Sequence, residues 1–383
     1  MNPLSLYIHI PFCVKKCAYC DFISHRVGEF ENNNGVERYM NALKQEIGHY
    51  AKLLSQHTLM TIYIGGGTPS AIDGAMIFDL IDTLRKNANI DKMAEITIEI
   101  NPGTLTHEKL DQYLLAGVNR VSMGLQTTND TLLTALGRIH STNDFVTTYE
   151  MVKSAGVSNI SLDLMFGLPN QTLIDIENAL KLISRLKPTH VSAYSLKIEA
   201  GTPLYTSYEA GNVILPDEAI ERDMYHTIEN GLHALGIEEY ELSNFSVPGF
   251  ESKHNLTYWK NKPYLGIGVS SHSKIANQRF SNTPSFFQYI ESLESGKLPV
   301  EATENINEKE DLFETIMLGL RLNRGINLKE ISAKYDLDFD VKYKDVIESL
   351  MASKLIIYAN ETIVLTELGR DLANQVFLKF MID

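Results

Sequence analysis

The chain has 383 residues, of which 44% are hydrophobic, a length and composition that predict two domains, one large and one small. Its 48 acidic and 34 basic residues give a formal charge of −14, and no long basic run offsets this charge, so nucleic acid is disfavoured as a partner. No apolar stretch approaches the roughly 20 residues that span a bilayer, and the first residues lack the apolar core of a signal peptide, so we expect a cytoplasmic location.

The first predicted strand, residues 4–10, leads directly into a loop that contains every cysteine of the chain. Cys13, Cys17 and Cys20 form the pattern C-x3-C-x2-C. Three thiols this close together disfavour a disulfide framework, and thiolates are soft ligands that suit an iron–sulfur cluster, zinc or copper(I). A four-iron cluster held by three thiolates keeps one iron open to a small chelating molecule, which a catalyst needs. The alternative is a zinc site with His25 as the fourth ligand.

Strands alternate with helices about every 30 residues through the first half of the chain, which predicts repeated βα units and a parallel sheet. The predicted strands are 4–10, 61–64, 95–100, 120–123, 160–164 and 190–195. The predicted helices are 36–55, 77–84, 106–116, 142–155 and 172–186. Six such units predict an α/β fold of the open (β/α)6 partial TIM barrel type, with ligands at the carboxyl ends of the strands. Polar and glycine-rich signals lie at those ends, namely the cysteine loop, Gly65–Pro69, Glu99, Gln126 and Asp163.

The second half of the chain is less regular. Residues 217–235 predict another helix, and the segment Tyr-Leu-Gly-Ile-Gly-Val at 264–269 is interpreted as a glycine-rich turn. An amphipathic helix over 305–323 is followed by two helices, a hairpin over 354–365 and a final helix, a pattern typical of a small winged-helix-like α+β domain. Because this domain is acidic and has no basic recognition helix, we interpret it as a packing or lid domain. DNA binding is a distant alternative.

The string YIHIPFCVKKCAYCDF at residues 7–22 resembles the signature of the radical S-adenosylmethionine (SAM) superfamily. It is most similar to the HemN/HemW branch, which contains oxygen-independent coproporphyrinogen III oxidases and haem chaperones. The resemblance implies a [4Fe-4S] cluster on the three cysteines, with SAM chelating the open iron through its amino and carboxylate groups. It also implies a radical SAM core over 1–235, a connecting region over 236–300 and a HemN C-terminal, winged-helix-like domain over 301–383.

The resemblance further implies which residues contact SAM. Tyr7 meets SAM at the cluster and Tyr19 lies near the adenine. The alternative for Tyr7 is a tyrosine of the hydrophobic core. The glycine segment lets the ligand approach the main chain, and a carboxylate at the end of the third strand can accept hydrogen bonds from the ribose. The contacts to the first SAM molecule implied in this way are Tyr7, Tyr19, Gly66, Gly67, Thr68 and Glu99.

Gln126, Arg138 and Asp163 match positions that contact a second SAM molecule in HemN. The alternative is a hydrogen-bond network at the barrel mouth in which Arg138 pairs with Asp163. No residue is assigned a catalytic role.

Two features distinguish the members of the HemN/HemW branch. Phe22 stands where the oxidases carry a further cysteine, and the N-terminal extension on which the oxidases rely is not found before the first strand. Both differences from the oxidases favour the HemW type.

The segment from His254 to Trp259 matches the HemW-type motif H-N-x-x-Y-W. Imidazole is a good axial ligand for haem iron, and Tyr258 and Trp259 can stack on a porphyrin. The alternative is a packed core, and rival haem ligands are His9, His25, His140 and His272.

The sequence therefore predicts a haem chaperone that binds a [4Fe-4S] cluster, SAM and haem and delivers haem to acceptor proteins. Membrane-bound acceptors are one option, and a homodimer is left open. The alternatives are an oxygen-independent coproporphyrinogen III oxidase, disfavoured by Phe22, or another radical SAM enzyme.

Overall fold

The structure is a computed structural model that describes residues 2–30 and 34–381. Its first half consists of alternating strands and helices. The strands are β1 (Asn2–Ile10), β2 (Phe12–Cys13), β3 (His25–Arg26), β4 (His57–Gly66), β5 (Asn89–Ile100), β6 (Arg120–Gln126), β7 (Asn159–Phe166) and β8 (His190–Ser195). The helices are α1 (Gly35–His49), α2 (Ala51–Ser55), α3 (Gly74–Asn87), α4 (His107–Leu115), α5 (Asp130–Ala135), α6 (Thr142–Ser154) and α7 (Leu173–Leu186), with 3₁₀ turns at Val27–Phe30 and Pro69–Ala71.

Strands β1, β4, β5, β6, β7 and β8 lie side by side in that order and are all parallel. Helices connect them, as parallel strands require. The six βα units predicted from the sequence and the α/β fold class are therefore confirmed.

The sheet extends beyond these six strands on both sides. The next strands are β9 (Glu238–Glu241), β10 (Asn244–Ser246), β11 (Tyr264–Ile267), β12 (His272–Ile275), β13 (Gln278–Asn282) and β14 (Val300–Asn305), and the next helices are α8 (Pro203–Glu209), α9 (Glu218–His233), α10 (Lys253–Trp259) and α11 (Phe286–Glu294). Strands β10 and β9 follow β8, whereas β11 pairs with β1 in parallel and continues into antiparallel β12, β13 and β14. The described chain thus forms a 12-stranded sheet.

The interpretation of residues 264–269 as a turn is wrong. Leu265 and Ile267 are fully buried in the core, as alternate residues of a strand. A side chain at Gly266 would collide with the backbone of His272, so this glycine permits close approach of two strands rather than a turn. The chain turns only after the strand, where Gly268 has a φ of +108°.

The last part of the chain has its own hydrophobic core. Its elements are α12 (Glu308–Leu320), β15 (Ile326–Asn327), α13 (Leu328–Tyr335), α14 (Phe339–Lys342), α15 (Lys344–Ala352), β16 (Ile356–Ala359), β17 (Thr362–Leu365), α16 (Glu367–Asp371) and α17 (Ala373–Lys379). Asn360 and Glu361 both have positive φ, which fits the two-residue hairpin turn between β16 and β17. This confirms the smaller C-terminal α+β domain, whereas the predicted boundaries at 235 and 300 stay a prediction.

Alternate residues of the parallel strands differ sharply in polarity. One face is apolar and packs into the main core, for example through Leu6, Ile62 and Ile98. The opposite face, called here the polar face, carries Ser5, Tyr7, His9, Thr61, Tyr63, Glu95, Thr97, Glu99, Arg120, Ser122, Ser161, Asp163, His190, Ser192 and Tyr194. Closed (β/α)8 barrels fill their interior with branched apolar side chains, so the polar face here is built to hold polar partners.

The two ends of the polar face are covered differently. The cysteine loop follows the carboxyl end of β1, and helix α10 lies across the amino ends of the strands. The main-chain N–H of His254 in α10 donates to Glu95, 3.1 Å away, and the hydroxyls of Ser5 and Thr257 are 2.7 Å apart. Within residues 2–30 and 34–381, no helix combines the length and the apolar character needed to cross a membrane.

Candidate functional site

The cysteine loop is closed at its base by a short pair of strands, in which Phe12 pairs with His25 and Cys13 with Arg26. Cys13 is buried, whereas Cys17 and Cys20 are partly exposed, and all three thiols are free. Burial raises the pKa of Cys13 and of Cys20, and the neighbouring thiols of the loop raise it further. The ionisation of each of these two thiols is therefore influenced by its neighbours in the loop.

The fit of these thiols to a cluster can be judged from their chemistry. Across the described ranges, no three His, Cys, Asp or Glu side chains are already arranged to hold a metal ion. The donor set itself is right, because three free thiols share one loop, and their side chains must turn to converge on a cluster. His25, the fourth ligand of the zinc alternative, packs edge-on against Phe30 and Phe286, with ring centroids 5.6 and 5.2 Å away. Because His25 packs among aromatic rings, a [4Fe-4S] cluster is favoured over a zinc site with His25 as a ligand.

The glycine segment at the end of β4 packs directly on the start of the cysteine loop. The main-chain N–H groups of Gly67 and Thr68 donate to the carbonyl oxygens of Ile10 and Phe12, at 2.9 and 2.7 Å. A Cβ at Gly67 would lie 2.7 Å from the carbonyl oxygen of Phe12, so no larger residue fits. The Thr68 hydroxyl donates to Sγ of Cys13 over 3.5 Å. The segment therefore fixes the position of the first cysteine.

Glu99 connects the third parallel strand to the same glycine segment. Its carboxylate accepts from the Tyr63 hydroxyl at 2.7 Å and from the main-chain N–H of Gly66 at 3.1 Å. Burial raises the pKa of Glu99 to about 7, against the opposing effect of the Tyr63 hydrogen bond. The structure thus brings together Gly66 and Glu99, two of the predicted SAM contacts.

Arg138 is the predicted residue that reaches the cysteine loop from the α5–α6 connection. Its Nη1 lies 3.7 Å from Sγ of Cys17, and its Nη2 donates to Oδ1 of Asn101 at 2.8 Å. Tyr19 packs beside it, in a small apolar cluster at the carboxyl ends of β7 and β8. Gln126 is buried at a bulge of β6, with a positive φ of 65°. Arg138, from the α5–α6 connection, and Tyr19, from the cysteine loop, are therefore neighbours.

Among the described residues, Arg138 and Asp163 do not form the direct pair that the alternative interpretation included, although Arg138 does hydrogen-bond at the barrel mouth, to Asn101 and to the carbonyl oxygen of Gly124. Asp163 instead accepts from the Ser122 hydroxyl at 3.3 Å. Burial raises the pKa of Asp163, and the charge of Arg120 opposes that rise. The two predicted residues therefore form no direct ion pair, although the charge of Arg138 also opposes the rise in the pKa of Asp163.

Arg120 is a residue of the polar face that sequence reasoning missed. Its side chain is fully buried at the start of β6, and its Nε has no hydrogen-bond partner in the part of the chain described. Its positive charge favours the ionised forms of Glu99 and Asp163. The available signal was an arginine in the alternating strand pattern R-V-S-M-G, at a position that must face the barrel interior.

His254 of the H-N-x-x-Y-W motif lies at the covered amino end of the polar face. Its Nδ1 is 2.7 Å from the Thr61 hydroxyl and its Nε2 is 2.9 Å from the Tyr258 hydroxyl. Burial lowers the pKa of His254 to about 3. Both ring nitrogens are engaged, so the prediction that this imidazole binds haem iron requires a hydrogen bond to break.

The aromatic residues of the motif face different parts of the molecule. Tyr258 packs edge-on against Tyr264, with centroids 4.7 Å apart. The guanidinium of Arg321, from the C-terminal domain, lies 4.3 Å from the centre of the Trp259 ring. The structure does not bring Tyr258 and Trp259 together as the two-ring porphyrin surface that the sequence suggested.

A cavity of about 470 Å³, called here the side cavity, lies between the end of the cysteine loop and strands β11 and β12. Tyr7, Phe22, Tyr258, Tyr264 and His272 are among the residues that line it.

The remaining histidines proposed as rivals are less accessible than His272. The two ring nitrogens of His9 are engaged, at 3.0 Å from the Tyr7 hydroxyl and 2.8 Å from the carbonyl oxygen of Ile23. His140 is buried, and no hydrogen-bond partner of its ring nitrogens is found in the described chain.

Comparisons with known proteins agree with this architecture. Residues 7–183 match the radical SAM superfamily and residues 306–372 match the HemN C-terminal domain. The solved structure of coproporphyrinogen III oxidase (HemN) from Escherichia coli superimposes with a TM-score of 0.86 at 24% identity, over 99% of this chain and 90% of that one. The fold and the cysteine loop thus define a radical SAM protein.

The curated relatives narrow this class. The heme chaperone HemW of Bacillus subtilis (strain 168) is 38% identical over 98% of this chain and 99% of its own length. The heme chaperone HemW of Lactococcus lactis subsp. lactis (strain IL1403) is 35% identical over 100% and 98%. The chain belongs to the HemW family within the radical SAM superfamily.

Proposed function

We propose that this protein is a haem chaperone, which holds a [4Fe-4S] cluster on Cys13, Cys17 and Cys20, binds SAM and haem, and passes haem to acceptor proteins. The observation that carries the proposal is Phe22. This side chain, 55% exposed, follows an otherwise complete cysteine loop and places an apolar ring where the oxidase pattern has a further thiol. The full-length similarity to proteins named heme chaperone HemW supports the same conclusion.

The protein residues have definable tasks in this proposal. When bound, the cluster supplies an electron donor and a Lewis-acidic iron for SAM. The Gly66–Thr68 segment holds the first cysteine in place, and Arg138 puts a fixed positive charge beside the second. A cation at this point stabilises a thiolate-ligated, anionic group. Glu99 and Gly66, which are hydrogen-bonded to each other, form one wall of the site for SAM.

The finer parts of the proposal concern location and partners. The acceptors are haem proteins, with membrane-bound ones as one option, and the chaperone itself acts in the cytoplasm, where its thiols stay reduced. The oligomeric state is left open, with a homodimer as one option, and light scattering of the haem-loaded protein determines it.

Anaerobic cluster reconstitution followed by haem titration tests the function. We expect stoichiometric iron and sulfide in the native protein, loss of both in Cys17→Ala, and a Soret band on adding haem to the native protein. Native protein that gives no Soret band contradicts the chaperone proposal.

The second candidate function is an oxygen-independent coproporphyrinogen III oxidase, and the same preparation decides it. Reduced, SAM-loaded protein is incubated anaerobically with coproporphyrinogen III. We expect no protoporphyrinogen IX, because the loop lacks the further cysteine. Formation of that product would replace the chaperone proposal with the oxidase.

A further inference from the structure

The 11 histidines of the chain all lie within the described residues, and they differ in whether their ring nitrogens are already hydrogen-bonded. An axial haem ligand needs a free ring nitrogen next to a space that admits a flat macrocycle. Hydrogen bonds occupy both ring nitrogens of His9, His190 and His254. These three are therefore poorly placed to bind iron.

Within the described chain, His272 has both a free ring nitrogen and an adjacent cavity. It begins strand β12, its side chain is exposed, and it lines the side cavity. Its ring takes part in no hydrogen bond or ion pair in the part of the chain that the structure describes. His49 and His107 are also exposed, but they lie on the outer helices α1 and α4.

The walls of the side cavity combine aromatic rings with polar side chains, which suits a flat ligand that carries polar substituents. Phe22 approaches from the cysteine loop, and the rings of Tyr258 and Tyr264 line the cavity as well. Polar groups of Asp21, Ser270 and Ser271 complete the lining. A cavity of a few hundred Å³ that combines aromatic rings with placed polar groups is typical of small-molecule sites. A porphyrin would place its faces against these rings and its iron near the imidazole.

The rim adds a means of orienting the carboxylates of haem. The ammonium of Lys16 donates to the carbonyl oxygen of Phe22 over 2.9 Å, which puts a cation next to the cavity. Asp21 also lines the cavity and repels a carboxylate. A propionate would therefore lie toward Lys16 and away from Asp21.

The backbone that leads into His272 is held firmly. Glu46 is completely buried and accepts from the main-chain N–H of Gly268 at 2.9 Å and from Nδ2 of Asn282 at 2.6 Å. Asn282 also donates to the carbonyl oxygen of Gly268 at 3.0 Å. An imidazole whose backbone is fixed before haem binds loses less conformational entropy when the complex forms.

The side cavity is also largely distinct from the predicted SAM contacts. Of those residues only Tyr7 lines it, whereas Tyr19, Glu99 and Arg138 do not.

We infer that haem binds in the side cavity, with the imidazole of His272 as its axial ligand and Phe22 against the porphyrin. This inference rests on the proposed function, because it takes haem as the cargo.

Haem titration of the full-length protein, followed by Soret absorbance and magnetic circular dichroism, tests the site. We expect His272→Ala to lose the imidazole-ligated spectrum and to bind haem about tenfold more weakly or worse, and free imidazole to restore the spectrum. His107→Ala is the matched control, because that ring is exposed on α4, and it should bind haem as the native protein does.

A second variant pair tests the cavity without touching the iron ligand. Phe22→Ala should weaken haem binding, whereas Phe287→Ala, which removes a similarly exposed ring at 51% against 55%, should not. If His272→Ala and Phe22→Ala both keep the native spectrum and affinity, the inference is overturned and the chaperone proposal stands. If the native protein itself shows no Soret band, the proposed function fails.

Discussion

Nη1 of Arg138 lies 3.7 Å from Sγ of Cys17, although the two residues are 121 positions apart in the chain. The contact exists because the α5–α6 connection packs on the cysteine loop, where the main-chain N–H of Ala18 donates to the carbonyl oxygen of Leu136 at 2.9 Å. The connection that follows β6 thus contacts the cysteine loop at Cys17, whereas the glycine segment contacts it at Cys13.

Replacing Arg138 should weaken the cluster. The side chain carries a positive charge next to a thiol and is held by Asn101, and loss of such outer partners typically lowers metal affinity about 10-fold or more. We expect Arg138→Ala to retain less iron and sulfide after anaerobic reconstitution, and Arg138→Lys to fall between it and the native protein. Arg185→Ala, on the exposed end of α7, is the control. Equal iron content in all variants would show that Arg138 does not support the cluster.

Gly67→Ala should destabilise the protein through a direct clash. The added Cβ would lie 2.7 Å from the carbonyl oxygen of Phe12, and crowding of this kind costs about 1–3 kcal/mol. Gly48→Ala is the matched control, because a Cβ there meets nothing within 4 Å and alanine favours a helix by roughly 0.5–1 kcal/mol. Chemical unfolding of the apoprotein measures both, and a stable Gly67→Ala would contradict the close packing.

His254→Ala should lower stability more than it lowers haem binding. The substitution leaves the buried hydroxyl of Thr61 and the hydroxyl of Tyr258 without their partner, at about 1–3 kcal/mol for each buried group left unsatisfied. Thermal unfolding and haem titration, done on the same samples, separate the two effects. Unchanged stability together with loss of the Soret band would instead make His254 the haem ligand.

Stability should depend on pH through Glu46. Burial raises the pKa of this carboxyl to about 7, above its usual value of 4.5, so the folded protein keeps the proton over a range in which the unfolded chain has released it. The contribution of Glu46 is therefore present below pH 4.5 and is lost as the pH rises through about 7. Unfolding free energies of native protein and Glu46→Gln, compared from pH 4.5 to 7.5, should diverge in that sense. Parallel curves would rule the effect out.

The single tryptophan should report on docking of the C-terminal domain. Arg321 lies over the Trp259 ring and also approaches the fully buried Glu241 at 3.8 Å. Arg321→Ala should change the tryptophan emission and lower the melting temperature, because it leaves a buried carboxylate without its cation. Arg321→Lys keeps the charge but not the planar contact, so it should change the emission with a smaller loss of stability. Identical emission in all three proteins would argue against the contact.

Local patterns in the sequence determined a large part of this protein. The spacing of the three cysteines, the βα alternation and the glycine segment depend on residues close together in the chain, and the structure confirmed the six parallel units and the C-terminal α+β domain. Phe22 could also be read directly, because its position is counted from the neighbouring cysteine.

Only the tertiary structure decided what the distant residues do. Thr61 and His254 are 193 positions apart, and only the folded chain shows the hydrogen bond that joins them at the covered end of the barrel. Residues 264–267 became a strand because β1 offered an unpaired edge. Arg120 faces the polar face, where its charge favours the ionised forms of Glu99 and Asp163. Such pairings depend on which surfaces remain open once the strands have assembled, and that information lies in no single stretch of the chain.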